Sequence, residues 1–98
     1  MRSREVILTA TAKRDLLGIG RYTQLDWGKK QRDTYLRAID SVFQLIHANP
    51  KLGLHRLEIK EGYYSLPHGE HVVFYVFDSE MITVLAIVHK AMDIDCCF

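Results

Sequence analysis

Hydrophobic and polar positions repeat with two different periods along this chain, and the switches between them divide it into elements. Glu5–Ala10 is β-branched and apolar and reads as a first strand. The period then lengthens. Ala12, Leu16, Ile19 and Thr23 recur at spacings of 4, 3 and 4, the stripe of a helix that runs toward Trp27 with Thr11 placed to cap it. Gly28 interrupts the pattern, and a second helix is expected from about Lys29 to Ala48. Its stripe is Tyr35, Ile39, Val42 and Ile46, widened by Leu36 and Phe43. Asn49-Pro50 closes it, because a residue before proline avoids helical backbone. Period-2 segments follow at 54–60, at 63–66 with a turn at Pro67-His68-Gly69, at 71–77 and at 81–89. Asp78-Ser79-Glu80 has the length of a hairpin connection, and 90–98 reads as a tail. The order β-α-α-β-β-β predicts one α+β domain over residues 1–98, with an antiparallel-type sheet and an αα-hairpin packed on one face.

Two of these strands break the usual alternation. In Val72–Phe77, Val72, Phe74 and Val76 point one way while Val73, Tyr75 and Phe77 point the other. In Met81–Val88, Ile82, Val84, Ala86 and Val88 alternate with Thr83, Leu85 and Ile87. Strands apolar on both faces need two covers. The helical hairpin supplies one, so a partner is expected along the other face. The tail at Ile94–Phe98 is the alternative cover.

Charge sharpens that expectation. The net charge is +1, but residues 1–60 hold twelve Lys and Arg against six Asp and Glu, whereas residues 61–98 hold one Lys against six acids. Such asymmetry points to a charged partner or to a solvated basic helical face. Helix two opens with Lys29, Lys30 and Arg32 at its positive dipole end, where acids are favoured, which suits an external anion. Gly18 and Gly20 weaken helix one and fit a close helix–helix approach better than a phosphate loop, which would need further glycines or a Lys-Ser/Thr. Trp27, at the hairpin tip, is either a partner anchor or a cap on the core. Cys96 and Cys97 are adjacent and have no other cysteine to pair with, so neither a disulfide framework nor a zinc spacing is present. The apolar stretch Val6–Leu8 is too short for a signal peptide, and no run is long enough to span a bilayer. A soluble cytoplasmic protein is expected, with no cofactor and no metal.

Candidate chemistry gathers near the strand ends, where His68, His71 and His89 share segments with Tyr63, Tyr64, Tyr75 and Lys90. A His–Lys–Tyr group could cleave RNA by general acid–base catalysis. A surface with one Lys, no Arg and six acids is unfavourable for an RNA backbone, which argues against it. The histidine spacings do not match a metal site.

The segment EGYYSLPHGEHVVFYVF (61–77), followed by VHKAMDID (88–95), resembles the C-terminal signature of the ParE branch of the RelE/ParE toxins, and NPKLG (49–53) is similar to that family's helix-to-strand junction. The element order agrees over essentially the whole chain. The resemblance implies the toxin of a bacterial type II toxin–antitoxin pair, a binding inhibitor of DNA gyrase rather than an enzyme. It also implies a ParD-like antitoxin, whose disordered acidic segment folds onto the toxin. A ribosome-dependent mRNA endoribonuclease of the RelE type is the second reading, and an attenuated interaction module the third. Signature positions are Gly62, Pro67, Gly69, His71, Tyr75, His89 and Asp93, most of them explicable as turn, core or strand-end residues. The chain departs from the family pattern at Tyr64, Glu70 and Val76, which removes positive charge from the sheet. Candidate antitoxin contacts are Arg14, Arg21, Arg37, Val73 and Tyr75. Candidate target contacts are Lys60, His68, His71, His89 and Lys90.

Overall fold

The computed structural model describes residues 4–92. Strand β1 (Glu5–Leu8) leads into helices α1 (Ala10–Trp27) and α2 (Lys29–Ala48), a short 3-10 turn at Pro50–Leu52, and strands β2 (Leu54–His55), β3 (Tyr64–His68), β4 (His71–Phe77) and β5 (Met81–His89). A second 3-10 turn, Lys90–Met92, follows. The five strands form one sheet in the order β1-β5-β4-β3-β2. The mixed α+β class holds, with one refinement: β1 pairs parallel to β5, while the other pairings are antiparallel. Because β1 and β2 occupy opposite edges, the hairpin between them must cross one whole face. The two ends of the chain, residues 1–3 and 93–98, lie outside the described residues, and with them Asp93, the Ile94–Phe98 tail and its Cys96 and Cys97.

The helices form for the reasons their periodicity gives, with some differences in detail. The stripes bury Ala12, Ile19, Thr23, Ile39, Val42 and Ile46, with Leu16, Tyr35, Leu36 and Phe43 partly buried beside them. The cap of α1 is Thr9 rather than Thr11, since Thr9 has extended backbone and its hydroxyl accepts the Ala12 N–H at 3.0 Å. Gly28 serves both helices at φ 89°. Its N–H closes α1 onto the Gln24 carbonyl, and its carbonyl accepts from Arg32. Gly20 does sit at the helix–helix contact, where an added Cβ would lie 3.3 Å from Leu36, but the space around Gly18 is open.

The sheet corrects the sequence reading most. Only Leu54–His55 of the expected 54–60 strand is extended, and the chain then coils through turns to Gly62. Strand β3 runs through Pro67 and His68, so the turn to β4 is Gly69-Glu70. In β5 the simple alternation fails at Leu85. Phe74 pairs with Ala86 but Tyr75 pairs with Val84, which leaves one residue bulged. The bulge turns Ile87 to the helix side with Ile82 and Val84, and sends Ala86 and Val88 to the far side.

That far face is already covered at its centre. Phe74 is fully buried and Ala86 and Val72 nearly so. The Arg56 guanidinium lies 5.3 Å from the Phe74 ring and donates to the Ser65 hydroxyl at 3.1 Å, with Glu58 at 2.6 Å on its other side. The expected missing cover is therefore supplied here by the chain's own 56–62 coil. Tyr75, on the helix side, ties this junction down: its hydroxyl donates to the Pro50 carbonyl at 2.7 Å and accepts the Gly53 N–H at 3.0 Å.

These contacts set the expected costs of substitution. Thr9→Ala removes a cap and a strand-edge partner, and should cost about 1–2 kcal/mol in urea unfolding, with Thr9→Ser recovering most of it. Gly53→Ala would place a Cβ 2.6 Å from both the Ser65 carbonyl and the Tyr75 hydroxyl. A loss of about 1–3 kcal/mol is expected there. Gly18→Ala, in open space, should instead gain up to about 1 kcal/mol. A neutral Gly53→Ala would show that this junction is not close-packed.

Candidate functional site

Two exposed grooves run along the flanks of α1. The first lies between α1 and α2. Leu16, Leu17, Gly20, Leu36 and Phe43 make its apolar floor, Lys13 and Arg21 stand on the α1 wall, and Asp33 and Asp40 on the α2 wall. Arg32 also lines it, but donates to Gln24 at 2.5 Å and pairs with Asp33 at 2.9 Å. It cross-links the hairpin rather than waiting for an external anion. The second groove runs from the end of α1 to the end of the sheet, lined by Arg14, Tyr22, Trp27, Tyr35, His71 and His89 among others. Trp27 is 73% exposed, so it does not cap the core. Leu17 is exposed toward the first groove and Tyr22 toward the second, and Leu25 is exposed on α1 as well.

At the sheet end, several sequence candidates do converge. The Tyr35 hydroxyl of α2 lies 2.6 Å from His71 Nδ1, accepts the Glu70 N–H at 3.2 Å, and lies 3.3 Å from the His68 carbonyl. The His71 and His89 rings meet edge to face at 5.8 Å. Glu70 holds Lys90 at 3.3 Å and faces His89 Nε2 at 3.7 Å, while His89 Nδ1 accepts the Ala91 N–H. Burial first, and then His89, hold the His71 imidazole below its ordinary pKa; burial likewise raises the Tyr35 hydroxyl. Among the described residues no three His, Cys, Asp or Glu side chains are grouped to hold a metal ion. No helix among them is long and apolar enough to cross a membrane.

The other candidates separate. Lys60 lies in the coil before β3, at the opposite end of that strand from His68. Val73 and Tyr75 are fully buried beneath the hairpin and cannot touch a partner, because the strand turns them to the helix side. Arg14 and Arg21 stand seven residues apart on the outer ridge of α1, each leaning into a different groove. Arg37 is exposed on α2 with its Nε on the Asp33 carbonyl, outside the lining of either groove. Tyr64 does not replace a lost cation. It stacks on His55 at 4.6 Å and on Tyr75 at 5.7 Å. Gly62 and Gly69 adopt positive φ at turns. Sequence reasoning missed Tyr35 as a hub, although a tyrosine in an aliphatic stripe announces a hydroxyl that needs a partner.

The fold and sequence both have close counterparts. The family model for the ParE toxin of the type II toxin–antitoxin system parDE matches residues 6–94. Toxin ParE1 of Mycobacterium tuberculosis is 34% identical over 94 residues, covering 95% of this chain and 96% of its own length. Toxin ParE1 of Caulobacter vibrioides is 29% identical over 86 residues, 88% of each chain. Among solved structures, a chain of the chromosomal ParDE system of P. aeruginosa superposes with a TM-score of 0.75 at 16% identity, over 89% of this chain and 96% of that one. A chain of the RelBE2 toxin–antitoxin complex of Mycobacterium tuberculosis gives 0.63 at 26% identity, over 93% and 95%. With a family match that runs from β1 to beyond the second 3-10 turn, this chain belongs to the ParE toxin family of type II toxin–antitoxin systems.

Proposed function

We propose that this toxin arrests growth by binding DNA gyrase, without catalysing a reaction of its own, and that a ParD-like antitoxin neutralises it. The family match over residues 6–94 carries this reading. The groove between α1 and α2 supports the antitoxin half: an apolar floor with Lys13 and Arg21 along one wall suits an amphipathic helix that presents acids to α1. Asp33 and Asp40 on the facing wall set the orientation of that helix, since its acidic side must lie toward α1. The solved structures similar to this chain include a ParDE system and a RelBE2 toxin–antitoxin complex, and the same kind of pairing is carried over here as a proposal. The second groove, which ends at His71 and His89 with His68 and Lys90 close by, is assigned to the target.

A ribonuclease reading has one observation in its favour, the Tyr35–His71 pair beside His89 and Lys90. Phosphoryl transfer needs cations on the scissile phosphate, and Lys90 is engaged by Glu70. Binding without catalysis is the stronger reading.

Purified toxin is expected to inhibit gyrase supercoiling in vitro and to leave translated mRNA intact. Cleaved mRNA with unaffected supercoiling would overturn the proposal. Lys13→Glu with Arg21→Glu should weaken antitoxin affinity by about tenfold or more in calorimetry at low salt, and the loss should shrink as salt rises. Arg37→Glu should change it little. Equal effects at Arg37 and Arg21 would move the antitoxin away from this groove.

A further inference from the structure

The group at the sheet end contains a titratable pair, Tyr35 and His71, whose protonation plays no part in either groove assignment. We infer that His71 and Tyr35 form a proton-operated latch between helix α2 and the Gly69-Glu70 turn, closed when the imidazole is neutral and loosened when it is protonated.

The closed state follows from the distances. A phenolic hydroxyl has one hydrogen to give, and Tyr35 has two acceptors within reach: His71 Nδ1 at 2.6 Å and the His68 carbonyl at 3.3 Å. The shorter contact takes the hydrogen. Neutral His71 then carries its own proton on Nε2, and the Tyr35 oxygen is left to accept the Glu70 N–H at 3.2 Å. The tyrosine also packs close to the turn: its hydroxyl oxygen and Cε1 lie 3.0 and 3.1 Å from where a Cβ on Gly69 would stand. One hydroxyl thus hydrogen-bonds α2 to two residues of the turn region, Glu70 and His71.

Protonation reverses the direction of the central bond. An imidazolium presents hydrogen on both nitrogens, so Nδ1 can only donate to the Tyr35 oxygen. That oxygen then meets two N–H donors, from His71 and from Glu70, and the charged one takes the better-aligned lone pair. The hydroxyl hydrogen is left with the more distant His68 carbonyl. The Glu70 amide bond, already the longer one at 3.2 Å, is weakened in this exchange.

The surroundings decide how readily this happens. His68 from β3, His89 from the end of β5, Lys90 from the 3-10 turn after it, and Arg14 from α1 are the basic groups on this side. Glu70 from the turn, Asp15 and Asp26 from α1 are the acids. Glu70 is already engaged with Lys90, and Asp15 accepts the Ile87 N–H at 2.9 Å. Burial and the neighbouring His89 disfavour the cation, against smaller attractions from Glu70 and Asp15. The folded ring therefore holds its proton less tightly than an unfolded one. The unfolded chain binds more protons in that window, so the stability from the neutral ring is complete above the ordinary imidazole range. It is lost as the pH falls toward the folded value.

Long-range proton–nitrogen NMR of the histidine rings, with amide exchange measured on the full chain from about pH 8 to about pH 5, tests this directly. At the upper pH His71 should show the Nε2–H tautomer. On acidification the Glu70 amide should exchange about tenfold faster after correction for its intrinsic rate. Tyr35→Phe should leave that amide fast at both ends of the range. His71→Gln cannot titrate but keeps an acceptor for the tyrosine, and should leave the amide slow at both. An Nδ1–H tautomer in the wild-type chain at the upper pH would overturn the latch, and needs no variant to observe. A pH response of Glu70 that persists in His71→Gln would overturn it equally.

Discussion

The placement of everything else in this fold depends on a single extra residue in β5. Strand β1 accompanies β5 only as far as the Leu8–Val84 pair, after which the chain turns into α1 and leaves the outer edge of β5 without a strand neighbour. An edge of unpaired amides and carbonyls is costly unless something meets it. Helix α1 does so with two side chains. The Thr9 hydroxyl donates to the bulged Leu85 carbonyl at 2.7 Å while capping its own helix, and the Asp15 carboxylate accepts from Ile87. The bulge makes the strand kink so that these groups become reachable, and the helix in turn is fixed along the sheet edge. Both grooves are flanks of that fixed helix, so their walls are set by how α1 is tied to β5.

Much of this was legible from residue order. Periodicity located both helices, with α2 at its observed limits and α1 displaced only at its start, and it gave β4 and β5 as observed. What it missed has a common physical cause: a pattern reports which side chains are apolar, but not how the backbone is served. The Leu85 bulge shifts the phase of an otherwise clean alternation, and nothing in MITVLAIV marks where the extra residue falls. Thr9 and Thr11 are equally good caps by type, and the choice between them is made by a carbonyl 76 residues further along the chain. The 54–60 segment has strand-like composition, yet Arg56 turns inward over Phe74 and the chain coils around it. Of the site, the histidines and Lys90 were visible by type and strand-end position, whereas their hub Tyr35 was hidden as one more member of a helical stripe.

The doubly apolar strands deserve a different reading in this light. Their second face does not wait for a partner at its centre, because Arg56 roofs Phe74 there and hydrogen-bonds Ser65 beside it. Burying a guanidinium is unfavourable unless it is paired, and Glu58, held below the usual carboxylate pKa by that same arginine, supplies the charge from the exposed rim. A residue that would ordinarily be solvated has become the lid of a small second core. The unpartnered apolar surface moves elsewhere, to Leu17, Tyr22, Leu25 and Trp27 on α1.

That relocation bears on how one small toxin could serve two partners. Leu17 opens on the groove shared with α2, whereas Tyr22 and Trp27 open on the groove that leads to the sheet end. The two surfaces meet along the ridge that carries Arg14 and Arg21. A segment filling the first groove need not occlude the second by overlap alone, since α1 stands between them. Neutralisation would then require either a segment long enough to cross the ridge or a change passed through α1 itself. The second route has a physical carrier, because α1 is tied through Asp15 to Ile87, two residues before His89, whose ring packs against His71. A one-residue link of this kind couples weakly unless the element it joins has two discrete arrangements. The Tyr35–His71 pair, with its two possible directions of hydrogen bonding, is where such a pair of arrangements exists in this fold.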